Sequence, residues 1–194
     1  MALPQPERRF DAAAYLAWEE GQTERHEYIA GEVCAMVGVR QAHNVATGNL
    51  YSRLRRDPKG SPCRVFIEAV KARVEAADCF FYPDVLVTCD ARDRLTPEYV
   101  SHPLLVAEVL SDSTAAFDRG RRCAAYRKLD SLQDYVLIDL AAQRIEVFRR
   151  DPQNHWVLYD YGSGESVELA SLGLQLPVDE LLEDAGEYGE VVSP

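Results

Sequence analysis

The spacing of apolar and polar positions along the chain predicts a mixed α/β domain. Helix-like spacing, with apolar residues on one face only, occupies residues 11–20, 44–55 and about 118–129. Runs typical of strands occupy residues 63–74, 80–89 and 104–110, between the second and third helices, and residues 134–140, after the third.

Turn residues between shorter apolar runs predict additional β-hairpins. Residues 26–36 form one hairpin around Ala30-Gly31, and residues 144–149 pair with 156–161 across the turn 151–154. The runs 63–74 and 80–89 can pair across residues 75–78. The full order is αββαβββαβββ, for which one mixed sheet flanked by helices is the simplest architecture.

Length and composition change this picture little. The chain has 194 residues, which predicts a single domain over residues 1–184 and an acidic, disordered tail over 185–194. No apolar run approaches the roughly 20 residues that span a bilayer. The first residues lack the pattern of a secretory signal. We therefore expect a cytoplasmic protein without a membrane partner.

Charge and cysteine content narrow the possible functions. A net charge of −11 argues against broad, nonspecific binding to phosphate backbones, although a local basic patch remains compatible with it. The five cysteines form no Cys-x-x-Cys pair and are expected to be free thiols, mostly buried, so a zinc site is not favoured.

Two carboxylates interrupt otherwise apolar runs, and they are the most informative residues of the chain. Asp84 lies in 80–89 and Glu108 in 104–110. A buried ionised carboxylate needs a partner, which can be a neutral hydrogen bond, an arginine or lysine, or a divalent cation. If the two strands are neighbours, both carboxylates meet at one edge of the sheet. Such a pair suits Mg²⁺ or Mn²⁺.

The motifs around these acids resemble the Uma-type family, a branch of the PD-(D/E)XK nuclease superfamily long known as a domain of unknown function. The resemblance covers about residues 8 to 184. It rests on five motifs. The first three are Arg25-His26-Glu27-Tyr28-Ile29-Ala30-Gly31-Glu32-Val33, His43-Asn44 and Tyr82-Pro83-Asp84-Val85. The fourth runs from Pro103 to Thr114 and continues through Asp118-Arg119-Gly120 to Tyr126, and the fifth is Asp134-Tyr135-Val136-Leu137-Ile138-Asp139.

The resemblance implies a restriction-endonuclease-like fold in which Asp84 and Glu108 bind the cation. The lysine usual two residues after the second acid is replaced by Leu110. In this branch a lysine on the following helix is thought to substitute for it, and that position holds Arg122. Arg122 lies on a helical stripe with Asp118 and Tyr126, so we expect it to point inward.

Other residues have candidate roles of lower rank. Lys71 is a second candidate for the missing cation, or else an ordinary solvent-facing lysine. Glu27 and Glu32 can add a metal ligand or orient water, or can be surface acids. His43 is expected near the cleft at the start of a helix. Asp118 can simply pair with Arg122 across one helical turn, and such a pair contributes little if it is exposed.

Three functions remain open at this point. The first is an endonuclease that depends on Mg²⁺ or Mn²⁺ and cleaves DNA. As a homodimer it would have two active sites. The second is a catalytically impaired nuclease fold that binds nucleic acid or protein, motivated by the lost lysine. The third is a structural protein that self-associates through the hairpin 144–161. The arginines and lysine of residues 119–128 form the best local phosphate-binding surface, unless they are only a solvated helix face.

Overall fold

Thirteen strands form three sheets in the part of the chain that the computed structural model describes, which is residues 10–36, 38, 40–56 and 62–186. Most of the predicted acidic tail lies outside the described residues. The strands are β1 His26–Ile29, β2 Glu32–Ala35, β3 Arg64–Ile67, β4 Lys71–Val74, β5 Cys79–Phe81, β6 Val85–Thr88, β7 Tyr99–Val100, β8 Leu105–Val109, β9 Asp134–Asp139, β10 Arg144–Arg150, β11 Trp156–Tyr161, β12 Ser166–Leu169 and β13 Leu174–Pro177.

Two of these sheets build the body of the molecule. The six-stranded sheet has the order β11-β10-β9-β8-β6-β3, and the five-stranded sheet has the order β2-β1-β5-β4-β7. Each contains one parallel pair, β8 with β9 and β4 with β7, and is otherwise antiparallel. The mixed α/β class is therefore confirmed, whereas the expectation of a single sheet is wrong. The hairpin of β12 and β13 was not predicted.

Helices lie on both sides of the larger sheet, whereas the first helix packs against the five-stranded sheet. The helices are α1 Ala12–Glu19, α2 Gln41–Arg56, α3 Ala115–Phe117, α4 Cys123–Tyr126 and α5 Val178–Leu181. A π-helical turn, Asp118–Arg122, joins α3 to α4, so that residues 115–126 form one helical segment. This segment begins before the predicted residue 118 and ends before the predicted residue 129. The predicted helix 44–55 is confirmed and extends slightly at both ends.

The two long apolar runs at residues 63–74 and 80–89 were wrongly predicted to be one strand each. Glu68 adopts a positive φ of 52° and separates β3 from β4. Pro83 separates β5 from β6, because proline has no N–H to donate to a strand ladder. The predicted pairing is nevertheless present, since β3 pairs with β6 and β4 with β5. The bent hairpin thus passes from one sheet to the other, and Asp84 lies at the bend.

Two apolar cores lie on opposite faces of the six-stranded sheet. On one face, α2 contributes Ala46, Leu50 and Leu54, whose spacing of four residues places them on one buried stripe. On the other face, the helical segment 115–126 and the five-stranded sheet enclose a core that includes Phe81 and Tyr126. The site described below lies where this second core opens to the surface.

The expectation of free thiols is wrong for two of the five cysteines. Cys63 and Cys89 form a disulfide between residues that flank the paired strands β3 and β6. Cys79 and Cys123 are buried free thiols, and Cys34 is exposed. Residue spacing alone did not reveal the bond, because 26 positions separate the two cysteines in the chain.

Candidate active site

Asp84 and Glu108 lie beside each other at the ends of two neighbouring inner strands of the six-stranded sheet. Strands β6 and β8 are antiparallel and pair Val85 with Ala107, so one further step of this register sets Asp84 opposite Glu108. Asp84 Oδ2 also accepts a hydrogen bond from the backbone N–H of Val109 at 2.7 Å. The predicted meeting of the two carboxylates is therefore observed, and both line a cavity of about 620 Å³.

Helix α2 fixes the other oxygen of Asp84. The imidazole Nε2 of His43 lies 2.9 Å from Asp84 Oδ1, and both side chains are largely buried. His43 is the third residue of α2, close to the helix start, as predicted. Its neighbour Thr47 donates a hydrogen bond to the His43 carbonyl at 2.9 Å and holds this first turn. Both oxygens of Asp84 are thus oriented by protein groups.

Glu108 is buried more deeply, with 2% of its surface exposed. Tyr126 donates its hydroxyl proton to Glu108 Oε1 at 3.1 Å, and Arg122 approaches the same oxygen at 3.1 Å. Burial raises the pKa of Glu108 well above its usual range; the Arg122 guanidinium opposes this shift and the nearby Asp84 adds to it. The side chain is costly to ionise here without a further positive charge.

Arg122 is the centre of a buried ion cluster. Its guanidinium contacts Glu27 at 2.6 Å, Glu108 at 3.1 Å and Asp118 at 3.3 Å. The rings of Phe81 and Phe117 lie 5.2 and 5.1 Å from its central carbon. The predicted inward orientation of Arg122 is observed. Its pair with Asp118 also forms, and this pair is buried.

The buried charges of this cluster do not balance. Glu27, Glu108 and Asp118 supply three carboxylates, and the described residues of the cluster supply one guanidinium. Burial is the largest cause of a raised pKa in each acid, and Arg122 opposes it in each. Glu27 is further held by the backbone N–H of Tyr82, which donates to it at 3.0 Å. Either a proton on one of these acids or an added cation would offset the excess of carboxylates.

The remaining predicted residues fall in different places. Glu32 is exposed on β2 and lines the cavity, whereas Glu27 is buried in the cluster. Lys71 does not line this cavity. Its Nζ donates to the Tyr82 hydroxyl at 3.3 Å, and burial lowers its pKa. The structure thus brings Arg122, and not Lys71, to the carboxylate pair.

Sequence reasoning missed three parts of the site. Neither the hydroxyl of Tyr126 on Glu108 nor the rings of Phe81 and Phe117 around Arg122 were expected. The spacing of four residues between Asp118, Arg122 and Tyr126 was the available signal. It indicated a shared face but not the π-helical turn, a feature frequent at functional sites.

The family assignment agrees with this geometry. The sequence model of the Uma2 family, described as "Putative restriction endonuclease", matches residues 12–179. This chain belongs to the Uma2 family. Its predicted membership is therefore confirmed.

Relatives and a solved structure extend the comparison. Two Synechocystis proteins, slr1290 and sll1609, are 36% identical over 165 residues and 34% identical over 161 residues. These matches cover 85% and 81% of this Uma2 chain and 87% and 90% of the relatives. The crystal structure of a "putative nuclease belonging to DUF820" from Anabaena variabilis superposes with a TM-score of 0.73 at 20% identity, over 91% of this chain and 99% of that one. This likeness shows that the two share a fold.

The donor set of this Uma2 site fits a hard divalent cation. Restriction-endonuclease-like families generally use divalent metals. Within the described residues no group of three or more histidine, cysteine or acidic side chains is close enough to hold a metal ion by itself. Mg²⁺ needs no such group, because it is commonly bound by one or two carboxylates with waters and substrate phosphates as the other ligands. Asp84 and Glu108 are two carboxylates that line one cavity and would hold such a cation.

Among the residues that the structure describes, no helix is both long and apolar enough to span a bilayer.

Proposed function

We propose that this protein is an endonuclease that hydrolyses phosphodiester bonds of DNA and depends on Mg²⁺ or Mn²⁺ held by Asp84 and Glu108. The observation that carries the proposal is the pairing of these carboxylates from neighbouring strands in one cavity with Arg122. A bound divalent cation would polarise a phosphoryl oxygen and make an attacking water more acidic.

The protein's own residues have separate tasks in this proposal. His43 and the Val109 N–H orient Asp84, and Tyr126 orients Glu108. Arg122 stabilises the negative charge that develops on the phosphoryl group, for which a guanidinium is well suited. It does not act as a base, because arginine does not lose its proton under ordinary conditions. Lys71 has no task in this proposed reaction, because it contacts Tyr82 and not the carboxylate pair.

Cleavage of supercoiled plasmid and of short single-stranded and duplex DNA tests the proposal. We expect cleavage with Mg²⁺ or Mn²⁺ and none in the presence of EDTA. Cleavage that continues in excess EDTA would refute the dependence on a cation.

A second function is favoured by one observation, the contact of Arg122 with Glu108. If this contact persists when DNA and cation are supplied, the protein is a binding module with a nuclease fold. DNA binding without cleavage in the same assay, with both cations supplied, supports this second function.

The rim of the cavity provides a chemical test of where the substrate binds. Cys34 is exposed, lines the cavity, and is the single exposed free thiol of the described residues. Partial desolvation of the thiol, followed by the charges of Glu27 and Glu32, raises the pKa of Cys34, so labelling with a bulky maleimide is best done above neutral pH. We expect the labelled protein to lose cleavage, measured on plasmid, while Cys34→Ala remains active after the same treatment. Full activity of the labelled protein would show that the substrate does not pass this rim.

We further propose a homodimer formed through β11, located in the cytoplasm. Strand β11 is an edge of the six-stranded sheet and exposes Val157, Leu158 and Tyr159. An unpaired edge with exposed apolar side chains is suited to pairing with a second copy. The disulfide between Cys63 and Cys89 is unusual for a cytoplasmic protein, so fractionation of cells is the direct test of location.

A charge placed on this edge is expected to separate the two copies. Leu158 has half of its surface exposed, so Leu158→Lys leaves the fold intact but introduces repulsion at the proposed interface. Light scattering should give the mass of a dimer for the parent protein and the mass of a monomer for the variant. A variant that keeps the dimeric mass would exclude this edge as the interface.

A further inference from the structure

The π-helical turn contains two buried groups that face each other without forming a hydrogen bond. Asp118 is 1% exposed and lines the cavity, and its Oδ1 has no hydrogen-bond partner. Nε of Arg122 also has none, although the two atoms are 3.3 Å apart. Buried polar groups are rarely left without hydrogen bonds, because that arrangement is unfavourable. A small rotation of Arg122 would align this donor with this acceptor.

Arg122 is held away from that alignment by its other partners. One terminal nitrogen binds Glu27 at 2.6 Å, and the other lies 3.1 Å from Glu108 Oε1. Glu108 Oε1 also accepts a hydrogen bond from the Tyr126 hydroxyl. Glu108 is the ligand that a cation needs under the proposed function. The contact between Arg122 and Glu108 is therefore the one with which a cation would compete.

The walls around Arg122 allow it to turn. Phe81 and Phe117 flank the guanidinium at 5.2 and 5.1 Å. An aromatic ring attracts a cation without the directional demand of a hydrogen bond. The guanidinium can therefore turn between these rings and keep their stabilisation, while Glu27 continues to hold one end.

We propose that Asp118 is a positioning residue for Arg122, which turns from Glu108 to Asp118 when a divalent cation binds Glu108. This inference rests on the proposed function, because it assumes that Glu108 is a cation ligand. Asp118 thus stabilises the displaced guanidinium and keeps it beside the cavity, where it can meet a phosphate. The cluster is more than a static ion pair, and Asp118 adds to cation affinity without touching the cation.

Calorimetric titration of Mn²⁺ into the full chain tests the inference. Asp118→Asn keeps the size of the side chain but removes the charged acceptor, so we expect about tenfold weaker Mn²⁺ binding, as for one lost charge-assisted hydrogen bond. The matched control is Asp112→Asn, which removes an acid that lines the same cavity but has 87% of its side chain exposed. We expect the control to stay within about twofold of the parent protein because exposed charges are well screened.

Each result has a defined meaning. Equal affinity of Asp118→Asn and the parent protein overturns the inference and leaves the proposed function standing. Absence of Mn²⁺ binding by the parent protein overturns the proposed function itself. A crystal structure of the parent protein with Mn²⁺ gives a test that needs no variant. The inference requires a hydrogen bond from Arg122 to Asp118 and is refuted if Arg122 still contacts Glu108 beside a bound Mn²⁺.

Discussion

Replacing Asp84 by asparagine is expected to reduce DNA cleavage by at least about 10³-fold, equivalent to about 4 kcal/mol of transition-state stabilisation. The amide keeps the size of the carboxylate and can still accept from the Val109 N–H, which donates to Asp84 at 2.7 Å. It loses the negative charge that a divalent cation requires. The rate of plasmid cleavage and the Mn²⁺ affinity measured by calorimetric titration should therefore both decrease, while the circular dichroism spectrum stays unchanged.

The matched control for this substitution lies just past the other end of the same strand. Asp90 follows β6, and its carboxylate is paired with Arg92 at 2.6 Å, outside the cavity. Asp90→Asn should retain the cleavage rate and the Mn²⁺ affinity of the parent protein. If Asp84→Asn cleaves as fast as Asp90→Asn, the assignment of the site is wrong.

Replacing Arg122 by methionine is expected to lower the free energy of unfolding by about 3–5 kcal/mol at neutral pH, the usual cost of breaking a buried ion pair from one side. The substitution leaves Glu27, Glu108 and Asp118 buried without their shared guanidinium. Urea denaturation followed by tryptophan fluorescence measures this loss. Millimolar Mn²⁺ should restore part of the stability, because a cation bound to the folded state stabilises it.

Arg119 provides the comparison on the same helical segment. It pairs with Asp139 and Glu146 at the surface, with about a third of its side chain exposed. Arg119→Met should cost at most about 1 kcal/mol, since exposed ion pairs contribute little. Equal losses in the two methionine variants would show that the buried cluster is not important for stability.

Local pattern was sufficient to predict the carboxylate pair. The alternation within residues 80–89 and 104–110 assigned each acid to a face of its strand. That the two strands are neighbours was a condition of the prediction, and the observed register supplies it. The helical spacing likewise placed Arg122 on the inner face of its segment. These predictions depend on periodicity within one element or between two adjacent strands, which a sequence displays directly.

Contacts between distant segments were not predictable in the same way. Glu27 meets Arg122 across 95 residues, and Cys63 joins Cys89 across 26. The first contact depends on how the five-stranded sheet, which carries Glu27, lies against the helical segment with Arg122. The second depends on the pairing of β3 with β6 within the six-stranded sheet. Lys71 is placed by the hairpin register: β4 and β5 pair Ala72 with Phe81, so the next step sets Lys71 beside Tyr82, whose hydroxyl it contacts at 3.3 Å.

The position of a bound cation is the most direct test of the account as a whole. Crystals of the parent protein soaked in Mn²⁺ can be measured at a wavelength where manganese scatters anomalously. The account predicts an anomalous peak within ligand distance of both Asp84 and Glu108. A peak elsewhere, or no peak at this pair in crystals that admit Mn²⁺, would contradict it.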